Sequence, residues 1–291
     1  MGEPVSLDPD LEAPRGVPAV RHRVVKVRDH AASECQDHLA VEEPLEIRLG
    51  GVNLSVTMRT PGDDEELVAG FLFSEGIIVG ADDLDVIARY RGPDGDPDDS
   101  NVMNVLLKGD ARVARERLRR NFVASSSCGL CGKATIDAIR AALPPVKSDL
   151  VITIDRVIGL TAAMHDAQST FEKTGGLHAA GLFDADGRLV VLREDIGRHN
   201  AVDKVIGHMV LARGVPLDRH VLMVSGRVSF EIVQKALTAR IPVIAAVSAP
   251  SSMAVQMALA ADMTLIGFVR NGGFNLYAGA HRVVPGVAEL V

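Results

Sequence analysis

His220-Val221-Leu222-Met223-Val224, Val243-Ile244-Ala245-Ala246-Val247 and Thr264-Leu265-Ile266-Gly267-Phe268-Val269 decide how this chain folds. Each is a short, mostly apolar run, strand-length rather than helix-length. Between them lie Ser229 to Arg240 and Ser251 to Ala261, which follow a helical pattern. Strands alternating with helices of this length imply βαβ crossovers and a mostly parallel sheet between helical layers.

Upstream, a helix is expected over His199 to Arg213. His178 to Phe183 and Arg188 to Leu192 flank the turn Asp184-Ala185-Asp186-Gly187 and read as a hairpin, preceded by a helix over Asp155 to Thr170. Before Leu143-Pro144-Pro145 the order changes. Leu45 to Leu49 and Val52 to Met58 alternate around Gly50-Gly51, which is a hairpin signal. Pro61-Gly62-Asp63-Asp64 then leads into a helix over Glu65 to Glu75, with Gly76 as its stop. Residues 92–100 form a loop between strands. The expected class is α/β: a tail over 1–20, a smaller N-terminal α+β domain over 21–145, and an α/β domain over 146–291.

The net charge of −7 provides no cationic field for nucleic acid. Arg112, Arg115, Arg117, Arg119 and Arg120 are local and suit a solvated helix face. The acidic first twenty residues lack the cationic start and apolar centre of a signal peptide. The longest apolar stretch, Ile241 to Ala261, is interrupted by prolines, serines and Gln256, so no membrane span is expected. These features point to the cytoplasm, where cysteines stay reduced.

Two of the three cysteines fall in Ser125-Ser126-Ser127-Cys128-Gly129-Leu130-Cys131-Gly132-Lys133. A thiol gains reactivity at a helix N-terminus beside a cation, and the apolar Ile136, Ile139 and Leu143 after Lys133 suggest such a helix. A structural zinc needs four ligands, and beyond the pair there are only Cys35 and scattered histidines. A structural disulfide belongs to secreted proteins. Two buried, inert cysteines would seldom be surrounded by serine and glycine. A redox or sulfur-carrying pair is the best of these readings, and the motif alone does not say which.

Ligands of open α/β sheets collect beyond the C-terminal strand ends, and five polar junctions lie there. They are Ser225-Gly226-Arg227-x-Ser229, Ser248-Ala249-Pro250-Ser251-Ser252, Asp195-Ile196-Gly197-Arg198-His199-Asn200, Thr174-Gly175-Gly176 and Asn271-Gly272-Gly273. Any one of them alone could be a helix cap; together they suggest a large phosphorylated ligand, with Arg227 suited to phosphate. No Walker or dinucleotide-binding glycine motif occurs. His199 is the candidate functional histidine, whereas His165 and His178 read as structural, and Asp195 is placed to orient His199 or bind a ligand.

Longer stretches now add a resemblance. Arg59-Thr60-Pro61-Gly62-Asp63-Asp64-Glu65-Glu66-Leu67, residues 126–133, and Thr174-Gly175-Gly176-x-His178 are similar to one family. So are Glu194-Asp195-Ile196-Gly197-Arg198-His199-Asn200-Ala201-x-Asp203-Lys204, Ser225-Gly226-Arg227 and Ala249-Pro250-Ser251-Ser252. The family is the formate dehydrogenase accessory sulfurtransferases of the FdhD type. The resemblance implies a homodimeric carrier that takes sulfane sulfur from a cysteine desulfurase as a persulfide. It further implies transfer of that sulfur to the bis(molybdopterin guanine dinucleotide) molybdenum cofactor, required for formate dehydrogenase.

On this resemblance Cys128 is the carrier and Cys131 its neighbour, tuning or resolving it. Phe268, Val269, Arg270, Asn271, Gly272 and Gly273 belong to the cofactor site, joined by Arg227, Ser225, Ser251 and His199. The larger domain is expected to be a cytidine-deaminase-like, three-layer unit. Zinc deaminase chemistry itself is disfavoured, because Ser127 precedes Cys128 and neither His165 nor His178 has a Glu two residues on. No metal is expected. A non-catalytic cofactor-binding chaperone stays open as the alternative.

Overall fold

The structure, a computed structural model, describes residues 16–90, 101–109 and 144–286. Cys128, Cys131, the arginine-rich run and the 92–100 loop lie outside the described residues, as does the tail to residue 15.

β1 (Ala19–Arg28) and β2 (Ala31–Ala40) form a separate two-stranded ribbon. The expected hairpin follows as β3 (Glu43–Leu49) and β4 (Val52–Arg59), turning at Gly50 and Gly51. With β5 (Leu84–Arg89) and β6 (Val102–Leu107) it makes a four-stranded sheet in the order β4-β3-β6-β5. Helix α1 (Asp64–Ser74) is buried nearly all round, with Leu67, Val68, Ala69, Leu72 and Phe73 in the core. Such a helix must be covered on more than one side, and it is.

A short strand β7 (Ile152–Thr153) opens the second half. The helix expected over Asp155 to Thr170 is two helices, α2 (Ile154–Ala167) and α3 (Ser169–Thr174), with Gln168 out of helical geometry between them. The cause is tertiary: the Glu194 carboxylate accepts from the backbone N–H of Thr170 (2.9 Å) and Phe171 (2.6 Å), which starts a new helix.

β8 (His178–Phe183) and β9 (Leu189–Asp195) form the expected hairpin, followed by α4 (Arg198–Leu211). Then come β10 (Val221–Val224), α5 (Phe230–Thr238), β11 (Val243–Ala246), α6 (Ser252–Ala260) and β12 (Thr264–Arg270). β13 (Gly273–Ala278) and β14 (Val283–Val284) end the described chain. The main sheet runs β13-β12-β11-β10-β8-β9.

Only the β10–β11–β12 centre is parallel; β13, β8 and β9 all pair antiparallel. The expectation of a mostly parallel sheet is corrected to a mixed one. Tight turns at 184–187 and 271–272 leave no room for the crossover that a parallel pair needs.

Strand alternation sorts the core into two layers. Leu222, Val224, Ile244, Ala246 and Leu265 join α4, α5, α6, α1 and the four-stranded sheet in one cluster. Val221, Met223, Val243, Ala245 and Ile266 face α2 in the other. Helices α1 and α4 cross with backbones nearly touching: a Cβ on Gly70 would lie 1.8 Å from the Asp203 carbonyl oxygen, and one on Gly207 1.8 Å from that of Glu66. Glycine is required at both positions by this approach. The crossing sets how residues 59–67 meet residues 194–204.

Candidate functional site

β10, β11 and β12 all point their C-terminal ends to one edge of the sheet. β8 runs against β10, with Ala180 opposite Val224, so it starts at that edge; β9 ends there, with Asp195 opposite His178. All five polar junctions are therefore brought together. The loops are also stitched to one another. Val228 N–H donates to the Ala249 carbonyl (3.1 Å), Ser251 N–H to that of Val228 (2.9 Å), and Phe268 N–H to that of Ser248 (3.2 Å).

The 195–200 turn is fixed from beneath by a buried ion pair, Asp195 with Lys204 at 2.8 Å, with side chains 0% and 1% exposed. Asp195 also accepts from Gly197 N–H (2.8 Å), Asn200 Nδ2 (2.9 Å) and, more weakly, Thr60 N–H (3.3 Å). Lys204 Nζ donates to the carbonyls of Thr60 (3.0 Å) and Glu194 (3.3 Å). A buried charge survives only when paired and fully hydrogen-bonded, and this one is. Asp195 thus holds the turn and Lys204 and, among the described residues, makes no hydrogen bond to His199. Arg59, equally buried, is held by Asp64, Glu43 and Asn101. The two longest motifs are one hydrogen-bonded unit.

Above this unit lie Arg198, Arg227 and His178. At Gly226 a Cβ would meet His178 Nδ1 at 3.2 Å and the Arg198 Cβ at 3.7 Å, so the three loops converge on this glycine. Burial holds the His178 imidazole below its ordinary pKa, and the charges of Arg198 and Arg227 push it the same way. Arg198 Nε is buried with no partner among the described residues. A buried guanidinium donor without an acceptor is costly, and an anion at this edge would satisfy it. His178, expected to be structural, and Arg198, the further arginine that the 195–200 junction offered, both come against Gly226 at this edge.

His199 Nε2 is 3.1 Å from Ser229 Oγ and 3.9 Å from a Glu231 carboxylate oxygen. Burial and then Arg198 lower its pKa, which favours the neutral ring. Serine and acid share one ring nitrogen, whereas a nucleophilic triad places them on opposite nitrogens, so this trio is not a hydrolase triad.

Ser225 Oγ accepts from Ala179 N–H (2.9 Å), and Ser251 Oγ caps α6 through Ala254 N–H (3.2 Å). Both hydroxyls therefore have structural work, and Ser251 is the helix cap its position suggested. Arg227 is exposed at the edge. In the 268–273 segment, Phe268 and Asn271 have positive φ, and the Arg270 guanidinium lies over the Phe268 ring at 5.1 Å. Arg270, Asn271 and Gly272 are exposed and Gly273 half-buried. The Val269 side chain is in the core, and its carbonyl accepts from Thr161 Oγ1 at 2.9 Å.

Beside the cationic edge is a cleft of about 300 Å³ between α1, α4, α5 and β4. Ile47, Leu67 and Phe71 supply apolar wall, while His199, Glu231 and Lys235 supply polar groups. Lys235 Nζ is paired with both oxygens of Asp203 (2.9 and 2.8 Å), and Ser74 Oγ donates to the same carboxylate. Ser229 belonged to the polar junction after β10 that the sequence offered, whereas Glu231 had not been singled out; only its position in the first turn of the junction helix marked it.

The fold and edge define a class: a mixed-sheet α/β protein with a cationic rim at the C-terminal edge of its main sheet. Residues 40–284 match the model of the FdhD/NarQ family, and the chain belongs to that family. It is 49% identical over 271 residues to the sulfur carrier protein FdhD of Streptomyces coelicolor, covering 90% of this chain and 95% of that protein. The Thermoplasma acidophilum protein of the same name is 43% identical over 290 residues, covering 98% and 99%. The fold matches the crystal structure of a candidate formate dehydrogenase accessory protein from Desulfotalea psychrophila, with a TM-score of 0.72 at 24% identity. That match covers 92% of this chain and 100% of the other. Among the described residues, no helix is long and apolar enough to cross a membrane.

Proposed function

We propose that this protein is a sulfurtransferase that carries sulfane sulfur on Cys128 and delivers it to the bis(molybdopterin guanine dinucleotide) molybdenum cofactor, bound as a substrate at the sheet edge. The observation that carries the binding half is the unpartnered buried Nε of Arg198, beside Arg227 and His178, on the rim where five polar junctions meet. The cofactor's pyrophosphates are the acceptors this rim lacks, and guanidinium groups suit them. The Cys-x-x-Cys pattern and the naming of relatives as sulfur carriers support the transfer half.

In loading, the Cys128 thiolate attacks the terminal sulfur of a cysteine desulfurase persulfide. A new S–S bond forms, the donor's bond breaks, and the donor cysteine leaves as a thiolate. In delivery the acceptor takes that sulfur and Cys128 leaves as a thiolate. Formate dehydrogenase is the enzyme served, and the cytoplasm is the compartment. Helices on both faces of the main sheet support the cytidine-deaminase-like, three-layer architecture as part of this reading. The protein acts as a homodimer; the ribbon, which exposes Val25 and Val27, offers surface for it.

Intact-mass analysis after incubation with a cysteine desulfurase and cysteine tests the carrier. Wild type gains one sulfur, mapped to Cys128, and Cys128→Ala gains none. Sulfur found only on Cys35 refutes the assignment.

A further inference from the structure

We propose that the acidic segment Asp8-Pro9-Asp10-Leu11-Glu12 docks on the cationic sheet edge of its own chain and competes there with the edge's anionic ligand. This rests on the reading that the edge binds such a ligand.

Three observations lead to it. First, the chain enters beside the edge. Gly16 and Pro18 line a cleft of about 290 Å³ together with Thr60, Leu177, Glu194 and Lys204. Leu177 and Glu194 each precede an edge residue, His178 and Asp195, and Lys204 is the cation beneath the 195–200 turn. Pro18 is fixed there by its carbonyl, which accepts from Val41 N–H at 2.9 Å. Glu12, Asp10 and Asp8 lie four, six and eight positions before Gly16. An extended chain therefore carries them up to about 14, 21 and 28 Å from it. Arg198 is four positions beyond Glu194 and so within about 14 Å of that cleft wall. The acids reach the edge.

Second, the charges are complementary. Arg198 Nε is buried with no acceptor among the described residues. Arg227, in the loop after β10, and Arg270, at the end of β12, are exposed at the same edge. Residues 1–15 carry Glu3, Asp8, Asp10 and Glu12 against Arg15 alone. A carboxylate is an acceptor that guanidinium groups bind in charge-assisted pairs. Docking would relieve the cost of the buried donor whenever the ligand is away.

Third, the spacing fits an extended strand. Asp8, Asp10 and Glu12 alternate, which sets three carboxylates on one side of such a strand, about 7 Å apart. Pro4, Pro9 and Pro14 divide the segment into runs of four residues, too short for a helix. Weak docking is sufficient, because a short tether supplies an effective concentration on the order of millimolar.

The test is low-salt calorimetry on the full chain with GDP, which has the guanine and pyrophosphate of the proposed cofactor. Wild type is compared with a neutralised variant, Asp8→Asn with Asp10→Asn and Glu12→Gln. A charge-preserving control carries Asp8→Glu, Asp10→Glu and Glu12→Asp. Thermal melts confirm that each is folded. The neutralised variant should bind GDP about three- to tenfold tighter than wild type, which corresponds to an edge open in about 10–30% of wild-type molecules. The control should match wild type. In about 1 M NaCl, where the screening length is about 3 Å, the ratio should approach one. A peptide of residues 1–15, added at millimolar concentration to the neutralised variant, should compete with GDP. Tighter GDP binding without competition by the peptide is a long-range field effect and overturns the inference. Equal GDP affinity in wild type and the neutralised variant also overturns it and leaves the proposed function standing. Weaker binding by the neutralised variant makes the acids part of the ligand's seat, which overturns it too. Absence of GDP binding by all three proteins overturns both readings.

Discussion

The crossing of α1 and α4 and the sheet edge a few residues away use the same kinds of side chain to opposite ends. At the crossing two buried lysines are each answered by a carboxylate. Lys204 meets Asp195, Lys235 meets Asp203, and two glycines bring the backbones into contact. At the edge one guanidinium nitrogen is buried with no acceptor among the described residues, and a second arginine stands exposed. Burial with full pairing fixes the frame, whereas burial without pairing leaves interaction energy for a ligand to supply. The contrast separates positions whose loss should unfold the protein from those whose loss should only empty the site.

The largest effect is expected at Lys204. Replacing it with Met leaves Asp195 buried without its cation, which costs about 3–5 kcal/mol. Urea denaturation monitored by circular dichroism reads this, and a loss under 1 kcal/mol would show that water reaches the pair.

Next is the crossing itself. Gly70→Ala forces a Cβ onto a backbone carbonyl that cannot swing away, and overpacking of this kind costs about 3 kcal/mol. Gly159→Ala is the matched control: it sits in α2 with nothing within 4 Å of an added Cβ. There, alanine should stabilise by about 0.5–1 kcal/mol. Equal effects at the two glycines would mean the helices are free to move apart.

Arg198→Ala should leave the urea midpoint nearly unchanged, since its Nε has no partner to lose. GDP affinity should fall by about ten- to a hundredfold. A large stability loss with unchanged GDP binding would move Arg198 from the edge to the frame.

The smallest effect is the response to pH. His178 and His199 are both held below the ordinary value of 6.5, mainly by burial and then by the neighbouring arginines. The unfolded chain therefore binds protons first as pH falls. Their contribution to stability is complete above 6.5 and is lost as pH drops from there through the folded values. An anion on Arg198 and Arg227 offsets the charges that depress His178, so its pKa should rise on binding. GDP binding should then take up protons and tighten below pH 6.5. Calorimetry in two buffers of different ionisation heat measures the uptake, and zero uptake would place the phosphates away from His178.

Much of this molecule was written in the sequence in forms that depend on neighbours along the chain. The run from β10 to β12 was legible because apolar periodicity reports which face of an element is buried. The hairpins at 50–51 and 184–187 were legible because turns need particular residues. Ser251 declared itself as a cap through local spacing alone. Helix α2 was read too long because its break is made by Glu194, a residue more than twenty positions away.

What the sequence could not express are relations across distance. That β8 pairs antiparallel with β10, and β13 with β12, follows from which strands become neighbours, not from how each strand looks. Gly70 and Gly207 look like weak points in helices until the crossing places each against a carbonyl. His178 and Arg198 resemble ordinary polar residues until Gly226 lets their loops converge. Periodicity and turn chemistry are short-range properties and determined the elements. Charge pairing, close backbone approach and the unpaired Nε of Arg198 are set by contacts between residues far apart in the chain, and only the tertiary structure decided those.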